Sequence, residues 1–397
     1  MSSTATRPSV QAQLLAELSD ELTSLEAQGL RRHLTEVEAV DGPLVRIQGK
    51  ELVCWCSNDY LGLAGHSALS AAAARAAADW GIGSRASRLL AGTTSWHRRL
   101  EASLAAYFGA EASIVYPSGY LANMGTLRAL LSPEDAVFID RLAHASLVDA
   151  ARQTRATLRV FGHNDVSELD GLLRRASRAR RRMIVTEGVF SMEGDRAPLQ
   201  AMAEVAQRHE ALVYLDDAHG AFVIGETGRG SPEAAGVPHE RFLYMGTLGK
   251  GLGCQGGFVI GPRVLIESLH QRARTFIYAT ALAVPVAAAA SEALRLAAEP
   301  QARERLSERA AQLHERLVAL GLRPASAGPS HIVPVVVGEA SRASALAVRL
   351  WDRGIWAPAI RPPTVPEGAA RLRLSVTALH RAEHVDMLVE ALRASVV

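Results

Sequence analysis

The chain has 397 residues, 48% of them hydrophobic and 21% charged, enough for a large soluble core built as one big α/β unit or as two packed domains. Its 43 basic and 41 acidic residues leave a formal charge of +2, which gives no electrostatic reason for a nucleic acid or an anionic membrane as partner. Three cysteines, Cys54, Cys56 and Cys254, are too few for a disulfide framework and point to a reducing compartment, the cytoplasm.

Residues Met1 to Gln13 lack the apolar stretch of an export signal. Leu14, Leu15, Leu18, Leu22 and Leu25 then share one helical stripe between about Val10 and Leu30, which predicts a helix packed on the body. A strand pattern over about Val45 to Cys56 comes next. Within it Cys54-x-Cys56 reads as alternating strand residues rather than as half of a metal site, because no second pair exists. The pattern ends in the turn residues Ser57-Asn58-Asp59-Tyr60-Leu61-Gly62. Residues 1–56 are read as an N-terminal arm of helix and strand.

From about Ala112 to Gly261, short apolar runs alternate with helical stretches: Ala112–Tyr116, Val137–Asp140, Leu158–Phe161, Met183–Thr186, Leu212–Asp216, Phe242–Met245 and Phe258–Ile260. Such runs predict strands buried on both faces in a doubly wound, mostly parallel sheet, with ligands beyond the carboxyl ends of the strands. The arginine run at 174–182 sits at a helix end before a strand and reads as solvated surface. The longest apolar run, Ile277 to Ala290, contains Thr280 and Pro285 and falls short of the ~18 residues of a membrane span. After Tyr278 an alanine-rich span predicts a long helix through about Leu320. Strand-like segments stand at His331–Val337, Trp356–Ile360 and Leu372–Val376, then a last helix from about Arg381. The organisation expected is a large domain over 57–285 and a smaller C-terminal α/β domain over 286–397.

Only two lysines occur, Lys50 and Lys250. Lys250 stands among glycines in Gly246-Thr247-Leu248-Gly249-Lys250-Gly251-Leu252-Gly253, right after a strand. A phosphate-loop reading fails because Tyr244 occupies the first glycine position and Gly251 replaces the magnesium-binding hydroxyl residue. The formal match Gly251-x-Gly253-x-x-Gly256 to a dinucleotide fingerprint is succeeded by a strand, not a helix. A lysine that forms a Schiff base with pyridoxal phosphate fits better. That cofactor needs a carboxylate for its ring nitrogen, an anion cradle, and something to hold the ring flat. Asp216 ends an apolar strand, with His219 three residues on. Pro117-Ser118-Gly119-Tyr120 lies between a strand and a helix, where backbone N–H groups favour an anion, and Thr247 adds a hydroxyl. His144 also comes after a strand, and its flat ring suits stacking. Alone, Asp216 reads equally well as a turn cap and His144 as a structural histidine; beside Lys250 both read as parts of a site.

With these residues in view, the sequence resembles the α-oxoamine synthase family of fold-type I pyridoxal phosphate enzymes over nearly its whole length. The segments that carry the resemblance are Ser57–Leu63, Thr186–Met192, Asp216–Gly220 and Gly246–Lys250. Val223–Ser231 and Ile360–Pro366 are most similar to the members that condense L-alanine with pimeloyl-CoA, or its carrier-protein equivalent, releasing CoA and CO2 in biotin biosynthesis. The resemblance implies that Lys250 binds the cofactor and acts as base at Cα, that Asp216 meets the pyridine nitrogen, and that His144 stacks on the ring. It implies that His219 and Ser191 contact the phenolic oxygen region, and that Ser118, Gly119, Tyr120 and Thr247 hold the phosphate, with Thr280 arriving from the other subunit of a homodimer. Arg361 would meet a substrate carboxylate with Arg373 nearby; Arg31, Asn58 and Thr364 would line the acyl side. Arg85 and Arg88 stand where relatives can be glycine-rich, in a loop that borders the acyl site in the family. A sibling of glycine C-acetyltransferase or serine palmitoyltransferase type stays open as a second reading, and a non-catalytic cofactor-binding protein as a third. No metal site is expected.

Overall fold

The apolar runs between residues 112 and 261 join in one seven-stranded sheet. In the computed structural model, which describes residues 9–322, 326 and 328–396, the strand order is Ala112–Tyr116, Gly257–Gly261, Leu243–Thr247, Leu212–Asp216, Arg182–Glu187, Ala136–Asp140, Thr157–Phe161. Neighbours from Leu243–Thr247 to Thr157–Phe161 pair in parallel. Gly257–Gly261 runs antiparallel to both of its neighbours. Every residue of Ala136–Asp140 is buried, as a strand covered on both faces must be. The expected α/β sheet is therefore present. In its register Glu187 lies opposite Asp216, and Asp216 opposite Met245. Two acids thus end adjacent strands abreast.

The chain forms two compact units. The larger holds residues 57–333 and 375–386. The helix Val284–Ala297, which composition assigned mostly to the small domain, packs here against Ser67–Trp80 and Ser95–Phe108. The alanine-rich span is two helices rather than one long one, Val284–Ala297 and Gln301–Ala319. Pro300 stands between them, because a proline has no N–H to continue the first helix but can open the second.

The smaller unit takes residues up to 56, 334–374 and those from 387. The single strand read at 45–56 is a hairpin, Leu44–Ile47 paired with Lys50–Cys54. Gln48 and Gly49 both have positive φ, 51° and 72°, the signature of a two-residue primed turn. Because Val45 pairs with Leu52 and Ile47 with Lys50, the turn shifts the buried positions from Val45 and Ile47 to Leu52 and Cys54, a change of phase that one continuous strand would not show. The segment Trp356–Ile360 also splits, at Pro358: Ile355–Trp356 pairs with Val53–Cys54, and Ala359–Ile360 with Arg371–Leu372. The first helix forms over Val10–Ala27, but no residue of it is buried, and Leu14, Leu15, Leu18 and Leu22 stay 45% to 58% exposed. The expected packing of this helix on the body does not occur within the chain.

Candidate active site

The site residues of the larger unit collect at the carboxyl edge of the sheet. Lys250 lies in the turn that joins Leu243–Thr247 to Gly257–Gly261, closed by hydrogen bonds from Leu248 N–H to the Gly256 carbonyl (3.0 Å) and from Gly253 N–H to the Lys250 carbonyl (3.0 Å). Gly253 has φ of +60°, and a Cβ there would fall 2.4 Å from the Ala64 nitrogen, so no larger residue fits. The turn is held tightly enough to aim the lysine.

Its amine Nζ lies 2.7 Å from His219 Nε2. The other ring nitrogen, Nδ1, lies 2.7 Å from the Tyr60 hydroxyl, which donates to Asn58 Oδ1 at 3.1 Å. An ammonium group only donates, so Nε2 accepts and His219 carries its proton on Nδ1. Tyr60 is buried, with the ring of His331 edge-on at 4.4 Å.

Asp216 and Asp217 point apart, as successive strand residues do. Asp217 bonds Ser231 and the Tyr244 hydroxyl (2.9 Å), and burial raises its carboxyl to about 7. Asp216 accepts from Ala218 N–H (3.0 Å) and from the Asn123 amide (2.8 Å). That amide also bonds Ser146 Oγ and the Tyr214 hydroxyl, each at 2.8 Å. Beside Asp216, Glu187 accepts from His144 N–H (2.7 Å) and Ser191 N–H (3.2 Å). Burial first, then the Asp216 charge, pushes Glu187 well above the usual carboxylate range, while Lys250 pulls it down. Burial and the Lys250 charge lower His144, opposed by Asp216. Asn123, Ser146, Tyr60 and Glu187 carried no role in the sequence reading. Glu187 was findable, because it too ends an apolar strand in an acid.

The segment expected to cradle an anion lies at the start of the helix Gly119–Leu130. Ser118 caps it, its hydroxyl accepting from Leu121 N–H at 3.2 Å. A Cβ on Gly119 would meet Thr247 at 3.6 Å, so the two lie side by side. Thr247 Oγ1 donates to the Gly256 carbonyl (2.8 Å) and accepts from Gly249 N–H (3.2 Å). Tyr120 turns its hydroxyl to Asp149 and is 44% exposed. Ser191 is buried; Thr280 is exposed and bridged to Ser87.

Arg88 is turned into the larger unit. It is buried in an ion pair with Glu101 at 2.9 Å, its guanidinium 5.1 Å from the Phe276 ring centre. Arg85 donates to the Trp80 carbonyl at 2.9 Å. These contacts explain the bulky residues as packing of the larger unit.

In the smaller unit, the Arg361 guanidinium bonds the carbonyls of Gly29 and Arg31 (3.5 Å for the latter). Arg32 reaches Thr364 Oγ1 at 3.4 Å, and the Arg31 side chain pairs with Glu26 at 3.4 Å. Arg373 is buried. Cys54 and Cys56 are free thiols 3.7 Å apart; the Cys54 thiol and then burial push Cys56 far up. Among the described residues no cluster has the make-up of a metal site, and no helix is long and apolar enough to cross a membrane.

This arrangement supplies an amine, a buried carboxylate, a capped helix N-terminus with a neighbouring hydroxyl, and a flat ring on one sheet edge. Those are the four needs of pyridoxal phosphate, and the residues fit it. Comparison with known proteins agrees. A model of the aminotransferase class I and II family matches residues 50–392. An 8-amino-7-oxononanoate synthase from Anaeromyxobacter dehalogenans strain 2CP-1 is 49% identical over 375 residues, 94% of each chain. A solved serine palmitoyltransferase from S. paucimobilis, with bound PLP–myriocin, superposes with a TM-score of 0.91 at 31% identity, covering 96% of this chain and 97% of that one. An 8-amino-7-oxononanoate synthase from Francisella tularensis gives 0.76 at 26% identity over 87% and 98%.

Proposed function

The chain belongs to the aminotransferase class I and II family, and from that premise we propose that it is a pyridoxal-phosphate-dependent acyltransferase. Its reaction is the condensation of L-alanine with a pimeloyl thioester, on CoA or a carrier protein, to 8-amino-7-oxononanoate, the free thiol and CO2. The observation that carries this reading is the 49% identity across almost the whole length of a synthase of that name, joined to the sheet edge that holds Lys250, His219 and Asp216.

When bound, the cofactor supplies an aldehyde that takes up an amine and a ring that stabilises negative charge on the carbon beside it. Lys250 would hold it, and its amine, once free and neutral, removes the proton from Cα of alanine. His219 Nε2, 2.7 Å from that amine, accepts its hydrogen bond and orients it. Asp216 would pair with the ring nitrogen and His144 would lie on the ring face. Ser118, Gly119, Tyr120 and Thr247 would take the phosphate, with Ser191 near the ring oxygen. Arg361 and Arg373 would receive substrate carboxylate; Arg31, Asn58 and Thr364 the acyl chain.

A homodimer with shared sites is part of the proposal. Ser84 and Ala86 bond Ala281, which joins two loops on which Ile82, Leu90 and Tyr278 are 74%, 79% and 69% exposed. One copy alone leaves this apolar surface in water. Thr280, on the same loops, would then reach the neighbouring site as Thr280 of the partner subunit. Free thiols fit a cytoplasmic protein.

The higher TM-score of the serine palmitoyltransferase favours a sibling reading, but 31% against 49% identity favours the synthase. Titrating the visible band of the loaded protein with L-alanine, glycine and L-serine separates them: the synthase responds to alanine at the lowest concentration. Lys250→Ala is expected to abolish turnover and leave the fold intact; substantial residual activity would remove the lysine from its role.

A further inference from the structure

Five side chains, the buried Tyr214, Asn123, Asp216 and Ser146 and the exposed His144, form a hydrogen-bonded line. The direction starts at Asp216. An ionised carboxylate only accepts, so the Asn123 atom 2.8 Å from Oδ2 is the amide nitrogen. Its oxygen therefore faces Tyr214, whose hydroxyl donates at 2.8 Å. The second amide hydrogen goes to Ser146 Oγ at 2.8 Å. Ser146 Oγ also lies 2.8 Å from His144 Nδ1, where a hydroxyl that has accepted once can either donate or accept again. A backbone contact decides between the two. Ser146 backbone N–H, which can only donate, caps its helix on that Nδ1 at 3.3 Å. Asn123 and Ser146 are each 1% exposed, so water does not compete for the bonds among Tyr214, Asn123, Asp216 and Ser146.

We infer that Asn123 and Ser146 are positioning residues that hold His144 as the neutral tautomer with its proton on Nε2. Two donors converge on Nδ1, which must keep its lone pair. The fixed charge of Asp216, two bonds away, orients the amide that sets the direction. His144 is thus the opposite tautomer to His219, which carries its proton on Nδ1. Desolvation lowers the proton affinity of His144, with the Asp216 charge acting against it. At Nε2 the ring can donate a hydrogen bond but cannot take a proton, which leaves proton removal from substrate to Lys250. That last consequence rests on the proposed function; the tautomer itself does not.

The test is ring-nitrogen NMR of the full-length protein carrying isotope-labelled histidine, with and without pyridoxal phosphate, near neutral pH. His144 is assigned by its loss in His144→Gln. The expected wild-type pattern is a protonated Nε2 and a bare Nδ1. Ser146→Ala should convert it to a mixture of tautomers with an unchanged circular dichroism spectrum, and Ser146→Thr, which keeps the hydroxyl, should restore it. Asn123→Ala should also give the mixture and weaken pyridoxal phosphate binding about tenfold, the loss of one hydrogen bond to a charged group. A wild-type ring protonated on Nδ1, or a pure Nε2–H pattern surviving in Ser146→Ala, overturns the inference. A shifted tautomer in Asn123→Ala with unchanged cofactor binding upholds the relay and counts against the cofactor reading instead.

Discussion

The two edges of the seven-stranded sheet handle charge in opposite ways. At the amino edge, Asp135 precedes the Ala136–Asp140 strand and meets Arg180 at 2.8 Å. Burial would raise its carboxyl, but bonds from Arg180 and Ser132 win and hold it below the usual range. Arg174 and Arg208 share Asp170 at the surface, and Arg182 faces Glu210. Asp135, Asp170 and Glu210 each have a guanidinium within 4 Å. At the carboxyl edge, Glu187 and Asp216 stand abreast and buried, held by backbone N–H groups and the Asn123 amide. A chain that pairs its charges with arginine at one edge and stacks acids at the other leaves the second edge suited to a cationic ligand.

The largest expected effect tests that contrast directly. Asp216→Asn should weaken binding of pyridoxal phosphate by about 2–5 kcal/mol, the cost of removing one partner of a buried charge pair. The thermal midpoint of the cofactor-free protein should rise, because Glu187 loses a repelling neighbour. Equilibrium dialysis and a melting curve read the two; unchanged affinity would mean that this edge holds no ring nitrogen.

A smaller effect sharpens the comparison within the carboxyl edge, where His163 bridges Asp140 (3.0 Å) and Asp195 (2.9 Å). Burial opposes its protonation, but the bonds to these two acids raise it to about 10. It ties the loop that leads to His144 to the loop that comes after Ser191. His163→Gln should cost about 1.5–3 kcal/mol at neutral pH, as expected for bonds to charged groups. The folded value lies above the unfolded one, so the stabilisation is complete below about 6.5 and lost as pH rises through about 10. Denaturant curves of both proteins should converge over that window; a constant gap would show that the imidazolium is not the source.

The smallest effect belongs to the amino edge. Arg174 is 73% exposed in its pair with Asp170, and Arg174→Ala should leave the unfolding midpoint unchanged, because exposed ion pairs contribute little. A loss as large as that of His163→Gln would erase the contrast between the edges.

Much of this was open to inspection in the order of residues. The strands Ala112–Tyr116 and Leu212–Asp216 run where their apolar runs predict, and the acid at the end of the second was legible as a candidate for the site. The same rule, applied evenly, would have marked Glu187 and Asp140. Asn123 and Ser146 lie inside helices with nothing local to distinguish them from other small polar residues. The hairpin at Gln48-Gly49 does leave a mark in the sequence, because the apolar positions change phase there, from Val45 and Ile47 to Leu52 and Cys54. Arg88 looked like a departure at a binding loop, and only its contact with Glu101 shows it to be packing.

Local periodicity and strand-end chemistry, which depend on residues a few positions apart, were enough to determine the α/β class, the lysine, and the candidate carboxylate and cradle. The tertiary structure decided which groups touch. Asn123 meets Asp216 across 93 positions, and His144 meets Glu187 across 43. Those contacts arise from strand order and register, and so do the proton positions and shifted ionisations that depend on them. Hydrogen-bond partners and neighbouring charges act over a few ångströms in space, whereas periodicity is a property of the chain alone.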